Sequence, residues 1–133
     1  MSPTSPPVRA ILDTSVVIGG GLNPLPGEIA ISAITVAELQ FGVLVAKTAA
    51  VRAERLRRLS GLQTHFDPLP VDAAVAVSYG RLAAAVVDVG RQPRGRVMDL
   101  LIAATAHAHG ARLYTRNAGD LAGLDELIEI VAV

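Results

Sequence analysis

A chain of 133 residues, 51% hydrophobic but with only two Phe, two Tyr and no Trp, is the size of one domain whose core must be built from Ala, Val, Leu and Ile. Twelve basic residues balance twelve acidic ones, so net charge singles out no partner; eleven of the twelve bases are Arg, which suits bidentate phosphate contact but equally fits an Arg-biased genome. The absence of cysteine excludes disulfides and thiolate metal sites, and with no long uncharged apolar run and a Ser/Pro-rich start, neither a membrane span nor a secretory leader is expected, which points to the cytoplasm.

Residues 1–7 (MSPTSPP) contain three prolines and are predicted to form a loose, disordered tail, leaving 8–133 as a single folded domain. Residues 8–12 read as a buried strand. GGGLNPLPG (19–27) reads as a flexible loop, lacking the Lys-Ser/Thr continuation of a phosphate-binding P-loop. EIAIS (28–32) suggests a second strand. Helices are predicted over 35–46 and 49–66, the latter with Val51, Leu56, Leu59 and Leu62 on one side and Arg52, Arg55, Arg57 and Arg58 on its wet face.

An extended link, 66–71, precedes Asp72, a predicted N-cap for a helix over 73–90. RQPRGR (91–96) is predicted to be a loop carrying three arginines. A helix over 97–110 closed by Gly110, a strand over 111–115 and a final strand over 127–133 complete the chain. Short apolar strands alternating with amphipathic helices predict an α/β fold with a mostly parallel sheet, whose ligands bind beyond the carboxyl ends of the strands.

Several acids fall where that rule matters. Asp13 follows the first strand, and LYTRNAGD runs from strand residues into Thr115, Asn117 and Asp120. Glu38 and Asp99 interrupt apolar helical runs, where a lone carboxylate is costly without a cation or hydrogen-bond partner. Each acid also has a structural explanation: Thr35 with Glu38 fits a capping box, Asp99 lies near a helix start, Asp13 could cap the helix near Ser15, and Asn117 and Asp120 could cap a turn. Taken together, they gather at the one edge to which an α/β sheet brings its strand ends and first helical turns.

ILDTSVVI, ISAITVAELQFG, RVMDLLIAATAHAHG and LYTRNAGDL occur in order from about residue 9 onward, and on these pieces the chain resembles the PIN-domain ribonucleases, most closely the VapC toxins of bacterial VapBC toxin–antitoxin systems. The resemblance implies a PIN-like three-layer α/β/α sandwich. It also places Asp13, Glu38 and Asp99 at the family's three acidic metal-ligand positions. The fourth position is filled by Asn117 or Asp120, of which Asp120 supplies the charge. Thr14 or Ser15, with Thr115, would hydrogen-bond the carboxylates or a metal-bound water. Leu121 stands where many relatives have an aromatic residue.

By the same resemblance the protein is a metal-dependent endoribonuclease using Mg2+, with Mn2+ able to substitute. It hydrolyses a structured cellular RNA such as tRNA, leaving a 5'-phosphate and a 3'-hydroxyl. It is a homodimer, with a larger toxin–antitoxin assembly as an option, and a cognate VapB-type antitoxin neutralises it by laying an amphipathic segment into an apolar groove. FGVLVA (41–46) and the Ala/Val-rich 73–87 stretch offer apolar surface for such contacts.

The chemistry calls for these residue types. Phosphodiester hydrolysis must bring an oxygen nucleophile to an anion and stabilise the departing oxygen, and hard divalent ions in a carboxylate cage serve both ends. No covalent intermediate or histidine base is needed. With four acids committed to metal, eight remain against twelve bases, so the rest of the surface is cationic. Arg91, Arg94 and Arg96, just before the Asp99 helix, could lead RNA toward the site or could form an ordinary solvated loop; Arg112 and Arg116 are further RNA-binding candidates. His107 and His109 are two apart on a helix and face different ways, so a histidine metal site is not favoured. Two other functions compete: a catalytically inactive PIN module binding RNA or protein, which predicts a missing core carboxylate, and a receiver-type phosphate-handling domain, which needs a lysine beyond a later strand, whereas Lys47 lies in an early helix.

Overall fold

The computed structural model describes residues 9–19 and 25–133. In chain order the elements are β1 (Arg9–Leu12), α1 (Thr14–Gly19), β2 (Glu28–Ala30), α2 (Ala33–Leu44), α3 (Ala49–His65), α4 (Ala73–Asp88), a 3-10 turn (Pro93–Arg96), α5 (Val97–Ala108), β3 (Arg112–Thr115), a second 3-10 turn (Ala118–Leu121) and β4 (Ile130–Ala132). The expected tail over 1–7 and part of the glycine loop, 20–24, lie outside the described residues.

The strands form one sheet in the order β2-β1-β3-β4, and every pairing is parallel. Their carboxyl ends therefore share one edge. From β1 the chain crosses to β2 on one side and returns, after four helices, to β3 on the other, so the switch in strand order falls between β1 and β3. The ladder runs one residue past β1, where the Asp13 amide donates to the Tyr114 carbonyl at 2.8 Å.

Side-chain alternation builds the layers. Ile11 and Leu113 face a cluster with Val75, Leu82 and Val86 of α4 and Leu100 and Ala103 of α5. Ala10, Leu12 and Tyr114 face the other way, onto Val16 of α1, Leu39 and Val43 of α2 and Leu59 of α3. Helices thus cover both faces, giving the α/β/α sandwich. Fully buried Ala103, Ala104 and Ala106 put small side chains where α5 packs, which suits an aromatic-poor core. Each fully buried Leu or Ile contributes about 1.5–3 kcal/mol relative to exposure. Between α4 and α5, Ser78 Oγ meets His107 Nδ1 at 2.7 Å.

Asp72 caps α4 by accepting from the Val75 amide at 3.0 Å, and Gly110, at φ 61°, ends α5 while the Ala111 amide returns to the Ala106 carbonyl. Other expectations are corrected. Helix α2 begins at Ala33 with Ser32 as its cap, so Thr35 and Glu38 form no capping box; Thr35 is inside the helix and fully buried. Ser32 instead pairs with Leu69, ending the second strand earlier than 32. On α3 only Leu59 is buried, whereas Val51 and Leu56 are exposed. The final strand shrinks to 130–132 because Leu124 and Ile128 fold into a core-facing turn, in which the Leu127 and Ile128 amides both donate to the Leu124 carbonyl. No helix among the described residues is long and apolar enough to cross a membrane.

Candidate active site

Asp13 occupies the first position after β1, at the switch between β1 and β3, and is buried. Its Oδ1 accepts from the Thr14 amide at 3.0 Å. Its Oδ2 accepts from Ser15 Oγ and from Thr115 Oγ1, both at 2.8 Å. Each of those hydroxyls in turn accepts from a backbone amide just beyond β3: Arg116 to Ser15 at 3.1 Å and Asn117 to Thr115 at 3.0 Å. Because Ser15 and Thr115 both direct their single proton at Asp13, their own 3.4 Å separation is a contact and not a donated bond.

Glu38 reaches the same edge from α2. Thr14 Oγ1 donates to Glu38 Oε1 at 2.8 Å, so Thr35 is the donor in the 2.9 Å contact between the two threonine hydroxyls. Thr35 is a residue of the site for which the sequence offers only the capping-box alternative. The signal was available: on a helix, residue 35 shares a face with residue 38, and its hydroxyl is polar in an apolar run.

Asp99 lies in the first turn of α5, half-buried. Burial raises its carboxyl above the usual range; the charges of Asp13 and Asp120 add to that, while Arg96 opposes it. Burial likewise raises Glu38, partly offset by the Thr14 hydrogen bond and reinforced by the charges of Asp99 and Asp13. These mutual effects make Asp13, Glu38, Asp99 and Asp120 electrostatic neighbours. Asp120, on the second 3-10 turn, is the most exposed of them and stands 3.4 Å from Arg96. Asn117 precedes that turn, exposed, with no side-chain capping bond.

Among the described residues, no three His, Cys, Asp or Glu side chains are gathered tightly enough to hold an ion as they stand. The acids share a charge field without forming a closed cage, a departure from the expected ready-made site. Each is drawn to its own partner: Asp13 to three donors, Glu38 to Thr14, Asp120 to Arg96. The donor set nevertheless fits a hard divalent cation, because all of it is carboxylate oxygen and the Asp99 carboxyl and Glu38 Oε2 accept no hydrogen bond among the described residues.

The arginines divide. Arg91 reaches the Gly119 carbonyl at 3.5 Å, and Arg96 pairs with Asp120. Arg94 is exposed on the same turn, without an ion pair among the described residues. The Arg116 guanidinium lies over Gly19 at the end of α1, beside the site. Arg112 is not brought there: it opens β3 at the opposite end from Thr115, with Nε 3.3 Å from Glu129. The histidines also stand apart, His107 on Ser78 and His65 on the Gly61 carbonyl.

A family model for the PIN domain matches residues 10–126. Ribonuclease VapC5 of Mycobacterium tuberculosis is 37% identical over 135 residues, spanning 96% of this chain and 97% of the relative. The chain belongs to the VapC family of PIN-domain proteins. Ribonuclease VapC8 of Mycobacterium tuberculosis CDC 1551 is 41% identical over 100 residues, spanning 72% of this chain and 88% of the relative. Among solved structures, the crystal structure of VapBC-5 from Mycobacterium tuberculosis, a member of the VapBC family of toxin–antitoxin systems, superposes with a TM-score of 0.84 at 37% identity, covering 96% of this chain and all (100%) of that one. The four acids and the hydroxyls around Asp13 all fall on or beside the strand-end edge of this VapC fold.

Proposed function

We propose that this VapC protein is the toxin of a toxin–antitoxin pair and an endoribonuclease, hydrolysing phosphodiester bonds of a structured cellular RNA such as tRNA in the cytoplasm. The divalent cation it uses is Mg2+, with Mn2+ able to substitute, and the residues that hold it are Asp13, Glu38, Asp99 and Asp120. The observation that carries this reading is the convergence of Asp13, Glu38 and Asp99, from three separate elements, into one shared charge field at the strand-end edge.

A bound dication supplies an acidified water as nucleophile and neutralises charge on the departing oxygen. The chain's own residues do the remaining work. Thr115 and Ser15 fix Asp13 Oδ2, and Thr14 links Asp13 to Glu38 by donating to the first through its amide and to the second through its hydroxyl. Arg116, Arg91 and Arg94 are the arginines we assign to the RNA backbone. The products are a 5'-phosphate and a 3'-hydroxyl.

The antitoxin is the second partner, supported by the VapBC assembly of the similar structure and by Phe41, Leu44 and Val45, exposed along the end of α2. A second copy of the chain is the third. Val77 and Val87, exposed on α4, support self-association.

Wild type and Asp99→Asn, incubated with a panel of structured RNAs in Mg2+, Mn2+ or EDTA, test the reading. Metal-dependent cutting by wild type, lost in the variant, is expected. RNA left intact by both overturns the nuclease in favour of a binding-only PIN module, and equal cutting by both identifies a contaminant.

A further inference from the structure

We propose that Arg96 is a built-in counter-cation of this site, which a divalent cation must displace, so that Arg96 sets how much metal the protein requires. The inference rests on the reading of the four acids as the metal site.

Arg96 ends the 3-10 turn Pro93–Arg96 and is the residue from which α5 departs, yet its side chain makes no capping bond to that helix. Its guanidinium instead crosses to the second 3-10 turn, with Nη1 3.4 Å from Asp120 Oδ1. Asp99 is three positions further on, one helical turn away, and feels the same positive charge. One guanidinium therefore serves two acids carried by different parts of the chain. The neighbouring Arg91 reaches the Gly119 carbonyl, so the arginine turn and the Asp120 turn are joined at two points.

The pair is built to be exchanged. Its side chains are 35% and 52% exposed, and an ion pair at that exposure is weak because water competes and two long side chains lose freedom. A divalent ion brings twice the charge in a compact volume and takes carboxylate oxygens as direct ligands, whereas the guanidinium spreads a single charge over a plane. The two cations thus compete for Asp120, and a site containing Asp120 as a ligand forms only when Arg96 swings away. Among the described residues Asp13 and Glu38 make no ion pair and are held by neutral hydroxyl and amide donors.

The opposite role, Arg96 bracing Asp120 as a ligand, predicts weaker metal binding when the charge is removed. Calorimetric titration of Mn2+ into wild type, Arg96→Gln and Asp120→Asn separates the two. Displacement predicts that Arg96→Gln binds Mn2+ about tenfold more tightly than wild type, and that the gain shrinks when Asp120→Asn is already present. Equal or weaker binding by Arg96→Gln, with an unaltered circular dichroism spectrum, overturns the proposal. A second readout needs no variant: the Arg96 Nε resonance of wild type is expected to shift as Mg2+ is added, and a resonance that stays fixed while Mg2+ binds also overturns it. If wild type binds neither ion, the acids are no metal site and both readings fall. If wild type binds and Arg96→Gln gains nothing, only the role of Arg96 falls.

Discussion

Thr115 donates a 2.8 Å hydrogen bond to Oδ2 of Asp13, joining the ends of two adjacent parallel strands across 102 positions of sequence. Ser15 donates to the same oxygen, and backbone amides hold both hydroxyls in turn. The acid at the centre of the candidate site is therefore oriented by the end of β3 and the first turn of α1, before any ligand arrives.

Thr115→Val keeps the shape of the side chain but removes this donor and leaves the Asn117 amide without its acceptor. A loss of about 1–3 kcal/mol in stability is expected from urea unfolding. RNA cleavage should fall roughly tenfold or more, as for other residues that orient a metal ligand. Wild-type cleavage by Thr115→Val contradicts the role given to this bond.

Burial and then the Asp13 charge push the Asp99 carboxyl up, and burial pushes up Glu38. A carboxyl whose pKa is higher folded than unfolded binds more protons in the folded state. The contribution of these two carboxyls to stability is therefore fullest at low pH and is lost as pH rises from the unfolded values, 3.8 for Asp and 4.5 for Glu, through the raised folded ones. Asp99→Asn removes one such charge. In EDTA its Tm should exceed that of wild type by a few degrees at pH 7, with the difference closing near pH 4, while cleavage drops about a hundredfold or more. A Tm at pH 7 equal to or below that of wild type contradicts the desolvation account.

A Cβ at Gly19 would stand 2.5 Å from Cζ and Nε of Arg116. The guanidinium is the far end of a flexible side chain, so it yields and the fold does not. Gly19→Ala should change stability by less than about 1 kcal/mol yet weaken RNA binding as Arg116→Gln does. The double variant should be no worse than either single one, and Arg116→Gln should reduce the salt slope of RNA binding by about one. Additive losses in filter binding would separate Gly19 from Arg116.

The sheet is readable from sequence because AIL of β1 and LYT of β3 are short buried stretches behind a leading arginine, and EIAIS is short and alternating. Asp13, Glu38 and Asp99 were readable because a carboxylate inside an apolar segment needs a reason. What could not be read is pairwise geometry. The cap position open to Thr35 belongs to Ser32, Arg96 has Asp120 beside it, and Arg112 lies at the far end of β3 beside Glu129. Those partners are set by tertiary packing that local periodicity does not encode. Leu127 and Ile128 read as strand because an apolar run alone does not distinguish a strand from a core-facing turn.

Leu82 of α4 is fully buried between the sheet and α5. Leu82→Ala should cost about 2–5 kcal/mol in denaturant unfolding, whereas Val77→Ala, on the exposed side of the same helix, should change monomer stability by less than about 0.5 kcal/mol. Similar costs at both positions would contradict the face assigned to α4.

In the proposed nuclease, carboxylates from separate elements of this VapC fold close on one divalent cation. Anomalous diffraction from crystals grown with Mn2+ tests it most directly. A single strong peak is expected at the strand-end edge, among Asp13, Glu38, Asp99 and Asp120 with the Arg96 guanidinium turned away from Asp120, and it should be lost in Asp99→Asn. A protein that cuts RNA in Mn2+ while its crystals place the ion elsewhere would contradict it.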